Sequence, residues 1–338
     1  MENVNTQIRD ALIDRAVVLE RVKTSLYNDT KQAYIDILKD IDTKISNYDE
    51  LTIININKII REIKDIFAPE LTLKSDFLQL GLSEAKYTQN KFNSIIGIDL
   101  FKKLPTESVI KKIVNAPVFE GLTLKETFDK LDFNILYDMQ SQIRLALLTG
   151  ESIQQTKDRF YTLFNGKIDN NISTLVRTMT QTVVNQARAE FYKENEDIIK
   201  GYEHHSTLDL RTTAECGLRD GKQWDSEFKP IKGNNFVFKW SPLHYNCRSI
   251  ILPITKSYRE LGFDIDEIPK GTRASMDGQV PESTNFIDWI EKKSPEQQKQ
   301  WFGTGKYELY KEGKITFSDL INQRGRPVTL KEIEDKFN

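Results

Sequence analysis

The sequence predicts an α+β chain with a mostly helical N-terminal body, a small β-containing module and a helical C-terminal tail. Three observations predict it. Before Gly201, apolar residues recur every three or four positions through most of the chain, the period that lines one face of a helix. After Gly201, three short runs rich in β-branched and aromatic residues appear, at 202–208, 236–240 and 248–254. Gly- and Asp-containing turn signals separate them. From Thr284 onward, helix-capping signals return.

Taken in order, Leu12, Ala16, Leu19, Val22 and Leu26 share one helical face, and Ile35, Leu38, Ile41, Ile45 and Tyr48 share a second. Two long amphipathic helices over residues 1 to about 65 are predicted, paired as a hairpin. Residues 66–120 carry Pro69, Gly81, Gly97, Pro105 and Pro117, which predict short helices and loops. Thr123 to Glu126 is a capping box, in which side chains satisfy free N–H groups at a helix start. It opens a helix along Leu124, Phe128, Leu131, Ile135, Met139, Ile143 and Leu147, and Gly150 is a usual stop. Ser152 with Gln155 starts the next helix, and Ile172, Leu175, Met179, Val183 and Ala187 line another that runs to about Ile199.

The β-module follows, and then a loop-rich connector over 256–283, broken at Pro269, Gly271, Gly278 and Pro281. Ser294 to Gln297 and Thr329 to Glu332 are further capping boxes. The expected segments are 1–150, 151–255 and 256–338, with the first a candidate for binding a partner.

Composition narrows the function. Lys and Arg number 48 against 50 Asp and Glu, a net charge of −2. Proteins whose main task is gripping nucleic acid usually carry a basic excess, because phosphate contacts dominate that affinity. No apolar run is long enough to span a bilayer, and the N-terminus lacks a secretory signal. Folding in a cytoplasm is expected, with no membrane partner. Two cysteines, Cys216 and Cys247, are too few for a disulfide scaffold.

The informative stretch is 172–254. Its helix carries Arg177-Thr178, then Asn185 and Arg188. Asp209-Leu210-Arg211-Thr212 follows, then Cys216, then Asp220-Gly221, and it closes on Pro242-Leu243-His244-Tyr245-Asn246-Cys247-Arg248-Ser249. The tail adds Arg273-Ala274-Ser275-Met276-Asp277-Gly278, Trp289-Ile290, Trp301-Phe302-Gly303 and Arg326-Pro327-Val328-Thr329. This order resembles the phage Mu protein F-like family of minor head (head morphogenesis) proteins over residues 150 to 335. The His-Tyr-Asn-Cys-Arg string is its most specific element. The resemblance departs at two places: many relatives carry further cysteines where this chain has Thr213 and Ser249, so a four-thiolate metal site is not available here.

From the residues alone, Cys216, His244 and Cys247 could ligate zinc, with Asp209, His204 or His205 as a fourth ligand. The His-x-x-Cys spacing suits two ligands on one turn. The plainer alternative is that both cysteines are small buried apolar groups and that His244 hydrogen-bonds within a tight turn. His204 and His205 are adjacent on a strand and point to opposite faces, so at most one joins a site. Asp209 and Arg211 could form a catalytic pair, or, as favoured here, could hold the 242–248 loop through the planar Arg fork. Arg177, Asn185 and Arg188 are expected to dock on the same module. Phe236 to Trp240 alternates, as the inner face of a sheet does, or as a base-stacking strip would. Gly303-Thr304-Gly305-Lys306 lacks the spacing of a phosphate loop.

The resemblance implies a virion protein of a tailed bacteriophage, assembled in the host cytoplasm and not an enzyme. Its first partner would be the portal protein, with major capsid or scaffolding protein and packaged DNA as further candidates. Two other functions stay open at this point: a metal-dependent, nuclease-like hydrolase built on the Cys/His residues, and a DNA-binding adaptor with local basic patches at Lys102-Lys103, Lys111-Lys112 or Lys292-Lys293.

Overall fold

A computed structural model describes residues 4–48, 70–117, 121–163, 169–257, 259–262, 271–322 and 325–337, with single positions between 52 and 61. The fold is α+β and mostly helical. Packing groups the chain into two units. One takes Met1–Arg15, Glu84–Pro105 and Asn185–Asn338, and the other Ala16–Ser83 and Thr106–Val184. This grouping differs from the linear segments 1–150, 151–255 and 256–338, because three long helices each contribute residues to both units.

Helix α1 runs unbroken over Val4–Ser46, where the sequence predicts a hairpin of two helices. No glycine or proline lies inside these residues, and Thr30 Oγ1 donates back to the Leu26 carbonyl at 2.6 Å, an arrangement compatible with continued helix. The stretch 49–65 lies mostly outside the described residues.

Helix α2 spans Glu70–Ile96 and passes straight through Gly81, which the sequence marks as punctuation. Gly81 serves close packing instead. A Cβ there would lie 2.6 Å from Ile110 Cγ2 and 3.3 Å from Val183 Cγ1. Ile110 belongs to α3 (Glu107–Asn115), capped by Thr106. Helix α4 (Leu124–Thr149) has the expected capping box and ends on left-handed Gly150, and Ser152 and Gln155 bond reciprocally at the start of α5 (Ile153–Leu163). Helix α6 covers Asp169–Glu194, stopping short of Ile199. The core of this second unit is built from Leu26, Tyr34, Ile41, Phe77, Phe128, Met139, Met179 and Val183, among others.

In the first unit, four strands form an antiparallel sheet in the order β3-β2-β1-β4. They are β1 (Ile199–His205), β2 (Gln223–Asp225), β3 (Pro230–Ile231) and β4 (Ile250–Thr255). A Cβ on Gly201 would sit 2.4 Å from the Trp224 carbonyl, so glycine lets β1 and β2 pair there. Strand β1 starts at Ile199 rather than 202, and β4 matches the expected strand near 248–254. The stretch 236–240 is not a strand. Its alternation is real, since Phe238 and Trp240 pack on Tyr202 and Val237 is 75% exposed. Its backbone is held by side chains instead of a ladder: Trp224 Nε1 donates to the Phe236 carbonyl at 2.7 Å, and Phe236 N donates to Asn234 Oδ1 at 2.9 Å.

The described part of the predicted connector also differs. It contains a hairpin, β5 (Thr272–Ser275) and β6 (Gly278–Pro281); Pro269 lies outside the described residues. Met276 N bonds the Leu208 carbonyl at 2.9 Å, which docks the hairpin on the β-module. Beyond it come α8 (Phe286–Glu291), α9 (Pro295–Phe302), α10 (Thr304–Lys311), a 3-10 turn (Phe317–Leu320) and α11 (Leu330–Phe337). Both expected capping boxes form. The tail buries Phe286, Trp289, Phe302, Tyr307 and Phe317 with Leu208 and Leu218 of the β-module. No helix among the described residues is long and apolar enough to cross a membrane.

Candidate functional site

Two short turns bring the sequence-distant donors together. The first is α7 (Ala214–Gly217), whose cap Thr213 accepts from Cys216 N at 3.4 Å. It has to be tight, because Phe286 stacks where a Gly217 Cβ would be, 2.5 Å away. The second is the loop after β3, which opens with a cis Ser241–Pro242 bond. Its end folds back through Cys247 N to the His244 carbonyl at 3.2 Å, with Asn246 left-handed at φ 57°. Asparagine tolerates that conformation better than most residues.

Cys216 Sγ then lies 3.2 Å from His244 Nε2 and 3.6 Å from Cys247 Sγ. Thr213 Oγ1 lies 3.0 Å from the same Nε2. Both cysteines are buried. His244 Nδ1 is 2.8 Å from the Tyr245 carbonyl, which can only accept, so Nδ1 carries the proton and Nε2 faces the sulfurs. Hydrogen bonding from Cys216, assisted by His244, holds the Cys247 thiol well below its ordinary range against the effect of burial. The same contact with Cys247, together with burial, pushes Cys216 up. Burial opposes charge on His244, but Cys247, together with the Tyr245 carbonyl and Glu215, raises the imidazole. Chemically, this cluster can hold a metal through two sulfurs and one imidazole nitrogen, all within 4.8 Å of one another. Beside it is a cavity of about 20 Å³ lined by Thr213, Cys216, His244, Asn246 and Arg248, among others, space for about one water.

None of the three residues considered for a fourth ligand joins the cluster. Asp209 is committed to Arg248, whose Nη2 reaches Oδ1 at 2.7 Å while Nη1 holds Oδ2. His204 and His205 alternate on β1 and are both buried, and neither belongs to the donor group. Burial lowers His204 to about 4 and His205 well below its usual value.

The remaining sequence-selected residues divide. Asn185 reaches the module, donating Nδ2 to the Ser249 carbonyl at 3.3 Å. Arg188 does not. It is buried against Glu84, with Nε at 2.9 Å and Nη2 at 2.5 Å from Oε1, and Arg15 takes the other oxygen at 2.8 Å. Arg177 lies in the other unit, 3.9 Å from Glu20. The Arg211 side chain is 78% exposed, 3.8 Å from Asp209; its backbone N–H, at 3.0 Å, does the holding. Gly221 is left-handed at φ 74° and its N–H bonds the His204 carbonyl at 2.8 Å. Asp220 accepts from Ser206 N, Phe286 N and the Arg273 guanidinium at 2.7, 2.8 and 2.9 Å.

Sequence reasoning missed Glu84, Arg273 and Thr213 as partners. Glu84 carries no local signal, since its role comes only from tertiary contact. Thr213 has one: its x-x-Cys spacing mirrors His244-x-x-Cys247. The sequence Gly303 to Lys306 is helix packing. A Gly305 Cβ would meet Leu330 Cδ2 at 2.4 Å, and Lys306 Nζ bonds the Val328 carbonyl.

Comparison with protein-family models, curated proteins and solved structures finds no match to the chain.

Proposed function

We propose that this chain is a minor head protein of a tailed bacteriophage, acting beside the portal during head assembly and residing in the virion. The reading begins from the ordered motif set that resembles the Mu F-like family. One observation supports it best: residues from four separated parts of that set meet in polar contacts around the β-module. Asp209 clamps Arg248, Asp220 clamps Arg273, and Asn185 ties the loop end. The two positions where relatives carry further cysteines, Thr213 and Ser249, both border the Cys216 cluster.

These polar contacts are built for holding a shape. Their ionic groups are spent on one another, and the cavity at the cluster admits about one water. A nucleotide or peptide substrate needs a cleft of several hundred Å³, which weighs against the hydrolase. Net charge of −2 weighs against a DNA-coating adaptor. Contacts with capsid or scaffolding protein and with packaged DNA are part of the same proposal.

The test is co-expression with the portal protein encoded in the same genome, followed by affinity capture and size exclusion. Co-elution at fixed stoichiometry is the expected result. No portal binding, together with DNA cleavage by the purified metal-loaded chain, would replace this reading with the hydrolase.

A further inference from the structure

We infer that Cys216, His244 and Cys247 form a three-ligand site for one zinc-class divalent ion, with the Thr213 hydroxyl at its fourth corner. The inference stands apart from the head-assembly reading and uses only local geometry.

Two arms of equal spacing make the site, Thr213-x-x-Cys216 at the start of α7 and His244-x-x-Cys247 in the tight turn. Zinc binds sulfur at about 2.3 Å and imidazole nitrogen at about 2.0 Å in a tetrahedron, so its donors sit roughly 3.3–3.8 Å apart. The Sγ–Sγ separation of 3.6 Å and the Cys216 Sγ–Nε2 separation of 3.2 Å are close to that spacing. A second feature points to a ligand. The Nδ1–H of His244 is anchored on the Tyr245 carbonyl at 2.8 Å, the outer contact that fixes the tautomer of metal-binding histidines. It aims the Nε2 lone pair into the cluster.

The fourth corner decides the character of the site. Among the described residues no further His, Cys, Asp or Glu joins the donor group. Thr213 Oγ1, 3.0 Å from Nε2 and accepting from Cys216 N at 3.4 Å, is the donor the proposal assigns to that corner, and a neutral hydroxyl is a weak zinc ligand. A water in the cavity of about 20 Å³ can share that corner. Binding needs both sulfurs as thiolates and His244 neutral, so thiol protons leave to solvent. The ion would pin the 241–249 loop to α7.

The experiment uses the full chain, reduced and stripped with a chelator, then titrated with Co²⁺ as the probe and back-titrated with Zn²⁺. One equivalent of Co²⁺ should give the intense visible bands of a tetrahedral site with thiolate charge transfer, erased by Zn²⁺. Thr213→Cys should raise the charge-transfer intensity about 1.5-fold, as a third thiolate joins two, and tighten binding about tenfold or more. Cys216→Ser, checked for folding by circular dichroism, should lose about half of that intensity. Three results would overturn the proposal: no Co²⁺ uptake by folded wild-type chain, a pale octahedral spectrum, or unchanged intensity in folded Thr213→Cys. Recovery of the freshly purified chain with Cys216 and Cys247 joined as a disulfide would overturn it too.

Discussion

Asp209 and Arg248 are 39 residues apart in sequence and meet as a two-point ion pair, both guanidinium nitrogens on both carboxylate oxygens. Asp209 also accepts from Arg211 N–H at 3.0 Å, so a single carboxylate fixes its own turn and the end of the His244–Arg248 loop. Arg248→Ala should destabilise the chain by about 2–3 kcal/mol, because a half-buried carboxylate loses its partner. Arg248→Lys keeps the charge and loses the fork, and should cost about 1 kcal/mol. Urea unfolding of the three proteins checks this. An Arg248→Ala chain as stable as wild type would refute it.

Glu84 and Arg188 form a second, fully buried pair. Glu84→Ala leaves Arg188 charged in the interior, with Arg15 beside it, and should cost about 3–5 kcal/mol. Replacing both members by apolar residues, Glu84→Leu with Arg188→Met, should cost clearly less than the sum of the single changes. Thermal melts of the double-mutant cycle measure the coupling.

Gly81→Ala would normally strengthen a helix by about 1 kcal/mol. Here the new Cβ meets Ile110 Cγ2 at 2.6 Å, and a net loss of about 1–3 kcal/mol is expected. Ile110→Ala removes the clashing methyl. In that background Gly81→Ala should become neutral or stabilising, and denaturant midpoints of the four combinations decide it.

Burial lowers His204 to about 4 in the folded chain, whereas an unfolded histidine titrates near about 6.5. Between those values the unfolded state binds more protons, so stability rises with pH. The contribution is complete above about pH 6.5 and is lost as pH falls toward about 4, up to roughly 3 kcal/mol. His205 shifts the same way and adds to the loss. Asp209 acts lower still. Burial works to raise it, but Arg248 holds it below its usual value, so that share disappears as pH falls below about 4. Urea midpoints at about pH 7 and about pH 5 should differ strongly in wild type and less in His204→Gln; equal differences would rule out His204 as a source.

Much of the fold was legible because it depends on short-range rules. The capping boxes at Thr123, Ser152, Ser294 and Thr329 form as read, since a cap needs only a side chain and a backbone three residues away. Strands β2, β3, β5 and β6 were missed because they span two to four residues, too few to show a period of two. The sequence shows two sets of apolar positions, Leu12 to Leu26 and Ile35 to Tyr48, which suggest two helices, but Leu26 and Tyr34 enter one core along a single continuous helix α1. In the site, Cys216, His244 and Cys247 were found by type and spacing. Glu84 and Arg273 were not, because an ion pair between distant residues leaves no local trace.

The sequence by itself determined the α+β class, the helix boundaries set by caps, and the residue types able to bind a metal. It also put His244 and Cys247 on one turn. Only the tertiary structure decided that this turn meets the one that carries Thr213 and Cys216, that Asp209 goes to Arg248 rather than to the cluster, and that Arg188 serves Glu84. The physical reason is range. Caps and turns are closed by bonds within a few residues, whereas a charge buried away from water takes whichever opposite charge the packing of apolar faces brings beside it.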